Sequence, residues 1–302
     1  MKKIRRNKEH NGNYARVIWF FIFLIVLFML SFVFFKSKKH AEKKIDKKPA
    51  VKVIEKNKDQ PPEKKASAEK RKTAPVPGRT PAKKDKIVIV IDDFGYNLPV
   101  AGEFIRTEVP VTFSILPDTP YSAKVADIAH KAGRCVILHL PLESAVKEGR
   151  KAIPGTITTD MTKDQIQKRF AEALRSVPYA SGVNNHEGSK ATENYYLMKA
   201  ILEDCKRKGL FYLDSRTSYY SAVPRVGRNL GMRIHVRDVF LDNEDNPDYI
   251  LIQLEGMLPI AENQGYAVGI GHARKNTALA VKKFYDENKA TVEFIYLDEL
   301  YK

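Results

Sequence analysis

Ile87-Val88-Ile89-Val90-Ile91 is a run of five β-branched apolar residues, followed directly by Asp92-Asp93-Phe94-Gly95. Such a run reads as a strand buried on both faces, the pattern of a parallel sheet. Parallel strands need crossover connections, usually helices, so this stretch alone points to an α/β fold. It also delivers two carboxylates to the carboxyl edge of the sheet, where α/β proteins assemble their sites. The same pair can instead cap a following helix, and the rest of the chain must decide between the two.

The remaining sequence supplies the alternation. Residues 99–107 read as a short helix, 111–117 as a strand, 121–133 as a helix stopped by Gly133, and 135–139 as a strand. Residues 144–160 read as a long loop containing Pro154-Gly155. Thr162-x-x-Gln165 is a capping box, with Met161 and Ile166 placed for a hydrophobic staple. A strand at 182–186 precedes a helix capped by Thr192 and closed by Gly209. Leu210–Asp214 is the next strand, and Arg233–Val236 continues toward Asp242. Asn246-Pro247 opens a helix that Pro259 should kink. A strand at 266–271, a helix capped by Asn276 and a strand at 292–297 complete the chain. About seven strand–helix units in residues 86–302 predict a deformed (β/α) barrel of about seven parallel strands, with an open doubly wound sheet as the alternative.

The N-terminal third is of a different kind. Val17 to Phe35 is 19 residues without a charge, about 28 Å as a helix and close to the hydrocarbon thickness of a bilayer. It ends in Phe34-Phe35-Lys36 without a small-x-small cleavage site, so a retained transmembrane signal-anchor is expected. The basic tail, residues 1–16, is then cytoplasmic and the large domain lies on the periplasmic or extracytoplasmic side. Residues 36–85, rich in Lys, Glu, Ala and Pro, read as a disordered linker. Charge follows the same division. Residues 1–85 hold 24 Lys/Arg and 8 Asp/Glu, which accounts for the whole excess of +16, and residues 86–302 are neutral. A nucleic-acid partner is therefore not expected. Cys135 and Cys205, the two cysteines, are expected to be buried thiols rather than a bridge.

The strands end in a recurring set of polar residues: Asp92-Asp93, His139, Asn185-His186, Asp214, Asp238 and His272. In a parallel sheet these ends share one edge. Singly, each has a structural explanation, such as a turn cap or a hydrogen-bonded core histidine. Together they hold enough imidazole and carboxylate for a divalent metal such as zinc, with positions left for water and substrate. His139-x-x-x-Glu143 has a metal-ligand spacing, but Pro141 forbids the helix that normally justifies it. No phosphate-cradling glycine loop and no Gly-x-Ser-x-Gly elbow is present. A metal-activated water suits these residues better than phosphoryl transfer or serine hydrolysis.

Six motifs in order resemble the divergent polysaccharide deacetylase family. They are Ile91-Asp-Asp-Phe-Gly-Tyr96, His139-Leu-Pro-Leu-Glu143, Asn184-Asn-His-Glu-Gly-Ser189, Asp214-Ser-Arg-Thr-Ser218, Arg237-Asp-Val-Phe-Leu-Asp-Asn243 and Gly269-Ile-Gly-His272. The resemblance covers residues 86–302 and implies a metal-dependent hydrolase that removes N-acetyl groups from an amino-sugar polysaccharide of the cell envelope. A non-catalytic descendant binding glycan or an envelope protein is the alternative. By the superfamily's pattern Asp92 is the base, Asp93 a metal ligand, His139 the first histidine ligand and His272 the general acid, oriented by Asp214. Position 143 is Glu where the pattern has a second histidine, and His186 is its substitute. The superfamily's Arg-x-Pro-Tyr motif is missing. Glu143, Asn185, Ser189, Arg216, Arg237 and Asp238 are expected to bind substrate or orient the catalytic groups.

Overall fold

The computed structural model describes residues 84–145 and 153–302. The expected tail (1–16), signal-anchor (17–35) and all but the last two residues of the linker (36–85) lie outside the described residues. Among the described residues no helix is long and apolar enough to cross a membrane.

The order of elements is β1 (Lys86–Phe94), α1 (Leu98–Arg106), β2 (Val111–Ile115), α2 (Ser122–Lys131), β3 (Val136–Leu142), α3 (Lys163–Ser176), β4 (Gly182–Glu187), α4 (Tyr195–Arg207) and β5 (Phe211–Asp214). It continues through α5 (Val223–Leu230), β6 (Ile234–Val236), β7 (Val239–Phe240), α6 (Pro247–Glu255), α7 (Met257–Gln264), β8 (Tyr266–His272), α8 (Lys275–Asn288), β9 (Glu293–Ile295) and a 3₁₀ turn, Leu297–Leu300. The strands pair in the order β6-β5-β4-β3-β2-β1-β8-β7, all parallel, with β9 beside the start of β1.

The two ends of that sheet, β6 and β7, are separated by only Arg237 and Asp238. Arg237 N donates to Asp214 O on β5 (3.0 Å), and the next amide, Asp238 N, donates to Val268 O on β8 (2.9 Å). One bent segment thus borders both edges, which curls the sheet into the expected deformed barrel. The strand segments number nine among the described residues, not about seven. β6 and β7 are too short to carry a period-2 signature, and the sequence reads as one run across them.

Side-chain alternation divides the core. Val88, Val90, Ile137, Leu213, Val268 and Ile270 join Ile295 and Leu297 inside the barrel. Ile87, Ile89, Ile91, Phe113 and Leu138 pack outward under the helices. All five residues of the Ile87–Ile91 run are fully buried, which is why they alternate in direction but not in polarity.

Local signals account for most helix ends and misplace a few. The Thr162–Gln165 capping box forms in both directions. Asn194, rather than Thr192, caps α4, accepting from Tyr196 N and Leu197 N (3.1 and 3.0 Å). The Thr192 hydroxyl instead donates to Gly188 O. α8 starts without a side-chain cap, because its N-cap position is Arg274; Asn276 lies inside the first turn and its amide donates to Asp245. The expected kink at Pro259 occurs at Gly256, where α6 ends and α7 begins. Pro259 sits in the first turn of α7, where backbone N–H groups have no intrahelical acceptor in any case. α5 is an additional helix outside the sequence-based expectations, although Val223, Val226 and Leu230 recur at helical spacing along its eight residues. Both cysteines are free thiols, Cys205 buried and Cys135 partly so.

Candidate active site

The two aspartates reach the same mouth because β1 breaks its own alternation. Val88, Val90 and Asp92 face inward, so Asp93 would ordinarily face out. Instead Asp93 adopts φ +62°, and the pairing of β1 with β2 shifts register between Ile91 and Phe94. Aspartate is one of the few residues that tolerate this left-handed conformation, at a cost of about 1 kcal/mol. Phe94 then returns to the outer core and stacks on Phe113 with ring centroids 4.4 Å apart. Helix capping does not explain the pair. α1 is capped by Asn97, whose Oδ1 accepts from Val100 N (3.2 Å).

Asp93, His139 and His186 converge. His139 Nε2 lies 3.3 Å from Asp93 Oδ1, His186 Nδ1 lies 3.1 Å from the same oxygen, and the two imidazole nitrogens are 3.2 Å apart. Bonds of about 2.0–2.2 Å to a tetrahedral ion imply ligand separations of about 3.3–3.6 Å, close to this triangle. Two imidazole nitrogens and a carboxylate oxygen are also the donor types such an ion takes. The side chains present fit a divalent cation. Burial acts to raise the Asp93 carboxyl, but hydrogen bonds and charge from His139 and His186 hold it far below the usual carboxylate range. Burial acts to lower the His139 imidazole and is outweighed by Asp92 and Asp93, so its affinity for a proton is raised.

Asn184 organises the floor beneath that triangle. Its amide donates to Asp92 Oδ1 (2.8 Å) and to Ser215 Oγ (3.2 Å). Its Oδ1 accepts from Ser114 Oγ and from His139 Nδ1, both at 2.8 Å. With the His139 proton fixed on Nδ1, the Nε2 lone pair is presented to the cluster, as a metal-ligating histidine requires. Asn184 is fully buried and satisfies four polar groups at once. Asn184→Leu is therefore expected to lower unfolding stability by about 3 kcal/mol or more, and metal affinity by about 10–100-fold. Denaturant melts and a metal titration check both.

His272 closes the other side. Its Nε2 is 3.8 Å from Asp93 Oδ2, and its Nδ1 donates to Asp242 Oδ1 at 2.8 Å. Asp242 Oδ2 also accepts from His272 N (2.7 Å) and Thr277 Oγ1 (2.8 Å). Burial acts to raise Asp242, but these bonds and the His272 charge bring it below its ordinary value. For His272, burial acts to lower the imidazole and the Asp242 carboxylate more than reverses this. The expected orienting role of Asp214 is thus corrected. Leu213 belongs to the inner core and Ser215 Oγ reaches Asn184, so Asp214 between them faces outward. There its Oδ1 accepts from Arg216 N (2.9 Å), and burial pushes its carboxyl up.

The remaining expected residues separate in the same way. Glu143 accepts from Thr159 N, Thr159 Oγ1 and Lys190 Nζ (2.7, 2.6 and 2.7 Å), none of which belongs to the cluster. Burial would raise its carboxyl, but these donors bring it down to about 2. Because the folded value lies below the unfolded one of about 4.3, its contribution is complete above pH ~4.3 and is lost as pH falls toward 2. Stability of Glu143→Gln should accordingly fall less steeply than wild type between those values, as pH-dependent denaturant melts would show. Asn185 holds the loop after β5, accepting from Ser215 N and donating to Thr217 Oγ1 and Glu187 O. Ser189 Oγ accepts from Ala145 N. Asp238 Oδ2 accepts from Val268 N, completing the edge of β8. Arg237 donates to the carbonyls of Ser215 and Arg216 rather than to an aspartate, and the Arg216 side chain is exposed. The site residues that the sequence reading missed are Asn184, Asp242, Ser114, Ser215 and Thr277. Parity signals one of them, since Asn184 shares a face of β4 with His186 and Asn185 does not.

The profile of the divergent polysaccharide deacetylase family matches residues 89–301. An Escherichia coli K12 protein, described as uncharacterized protein YibQ, is 31% identical over 204 residues, 68% of this chain and 63% of its own. The chain therefore spans less than two thirds of that relative. An uncharacterized protein of Haemophilus influenzae is 33% identical over 194 residues, 64% of this chain and 68% of its own. Among solved structures, uncharacterized protein ATU2773 of Agrobacterium tumefaciens C58 has a TM-score of 0.69. It covers 74% of this chain and 92% of its own at 22% identity, a likeness of fold.

Proposed function

The chain belongs to the divergent polysaccharide deacetylase family, and from that premise we propose that it is a metal-dependent hydrolase removing N-acetyl groups from an amino-sugar polysaccharide. The observation that carries this is the Asp93–His139–His186 triangle, set between a second buried carboxylate, Asp92, and a histidine backed by its own carboxylate, His272. The apolar run 17–35 supports a place at the cell envelope, with the domain on the periplasmic or extracytoplasmic side.

Asp93, His139 and His186 would hold the cation, zinc being the ion that suits this donor set. Bound there, it would polarise the acetyl carbonyl and lower the pKa of a water. The protein's own groups then divide the proton transfers. Asp92 Oδ1 is occupied by the Asn184 amide, while Oδ2, 3.5 Å from His139 Nε2, faces the cluster and can accept the water's proton. His272 is held by Asp242 with Nε2 directed at the same space, which suits it to protonate the departing sugar amine. The low exposure of Asp92 and His139 keeps bulk water from competing for these bonds.

Acetate release tests the reading. The zinc-loaded full chain should release acetate from an N-acetylated amino-sugar polymer, stop when chelated, and resume when the metal is restored. Retained glycan binding without acetate release would overturn it in favour of a non-catalytic binding protein.

A further inference from the structure

The loop after β5 is rigid where it needs no rigidity for the chemistry above. Asn185 pins Ser215 and Thr217, the Ser218 hydroxyl donates to Glu193 (2.5 Å), and Ala222 N donates to Thr192 O (2.7 Å). From the other side Arg237 clamps the backbone, Nε to Ser215 O (2.7 Å) and Nη2 to Arg216 O (3.1 Å). Arg216 itself sits at φ +53°, a conformation that costs a non-glycine residue about 1 kcal/mol.

That fixed backbone carries large side chains into solvent. Tyr219 and Tyr220 are 82% and 76% exposed, with perpendicular rings 5.5 Å apart. The Arg216 residue is exposed, whereas Arg237 is partly buried and its charge faces Asp92, Asp214 and Asp238. Two open aromatic rings three and four residues after an exposed guanidinium, on an ordered loop, offer stacking faces and a charge-assisted donor together. A ligand that matches them offers flat apolar faces and a negative charge. The loop is continuous with the candidate site, since Ser215 Oγ accepts from the same Asn184 that holds Asp92. An extended chain reacting at the cluster would pass over it.

We propose that residues 215–222, with Arg237, form a preorganised platform for a sugar unit carrying an anionic substituent. A pyranose face lies on Tyr219 or Tyr220, and the anion is held by Arg216 and the unused N–H groups of Arg237. The proposal rests on the deacetylase reading only in taking the ligand to be a glycan.

Binding of three oligosaccharides of equal length to the full chain at low salt tests it: a neutral N-acetylglucosamine oligomer, one bearing carboxylates and one bearing phosphates. An anionic oligomer should bind at least about tenfold more tightly than the neutral one, and 0.5 M salt should shrink that advantage. The preferred anion, carboxylate or phosphate, identifies the substituent. Arg216→Gln should bring the ratio close to one, Arg216→Lys should restore part of it, and Tyr219→Ala with Tyr220→Ala should weaken all three. Equal affinity for all three, an equal loss on all three in Arg216→Gln, or no binding to any would overturn the proposal. Acetate release from the same oligomers separates the two readings. Anionic preference without acetate keeps the platform and removes the deacetylase, whereas release with no preference does the reverse.

Discussion

Asp93→Asn should leave a folded protein that no longer retains its metal, and deacetylation should fall by on the order of 10⁴-fold, the scale on which loss of an essential catalytic group registers. The fold should survive because asparagine tolerates the left-handed conformation at φ +62° as readily as aspartate. Asparagine also keeps the shape that lets Phe94 return to the core. What it loses is the charge. Asp93 Oδ1 lies close to both His139 Nε2 and His186 Nδ1, and Asp93 is the only anionic donor of the three. Two neutral imidazoles alone make a much weaker cation site. Metal content after dialysis, far-UV circular dichroism and acetate release measure the three parts separately.

Asp92→Asn should separate the two aspartates. Metal affinity is expected to stay within about tenfold of wild type, because Asp92 lies outside the triangle and acts on it only from beside. Activity should nevertheless drop by on the order of 10³-fold, the range ascribed to a general base. The asparagine oxygen can still accept from the Asn184 amide, so the floor of the site keeps its bonds. A metal-loaded, stable, inactive Asp92→Asn beside a metal-free Asp93→Asn would establish that adjacent carboxylates do different work. Equal loss of metal in both would show that Asp92 is a ligand instead of the base.

Much of this was legible in the residues and some was not, for identifiable reasons. The buried run Ile87–Ile91 announces a parallel sheet because both faces of β1 are covered. His139, His186 and His272 announce a site because strand ends share an edge. Strand parity carries further, since it separates Asn184 from Asn185 and sends Asp214 outward between Leu213 and Ser215. The superfamily pattern pairs Asp214 with His272, but strand parity puts the two on different faces. Asp242 could not be found that way. It follows β7, a two-residue strand with no alternation, and its link to His272 depends on the curled sheet bringing β7 beside β8. The bulge at Asp93 runs the other way, because there strict alternation would have turned a candidate ligand outward.

The central claim is that Asp93, His139 and His186 are a metal centre. X-ray absorption at the zinc edge of the loaded full chain tests it most directly. The account predicts one zinc per chain in a shell of nitrogen and oxygen at about 2.0–2.1 Å, without sulfur. It also predicts imidazole scattering from two histidines, falling to one in His186→Ala. Substoichiometric zinc, a sulfur shell near 2.3 Å, or a spectrum unchanged by His186→Ala would contradict it.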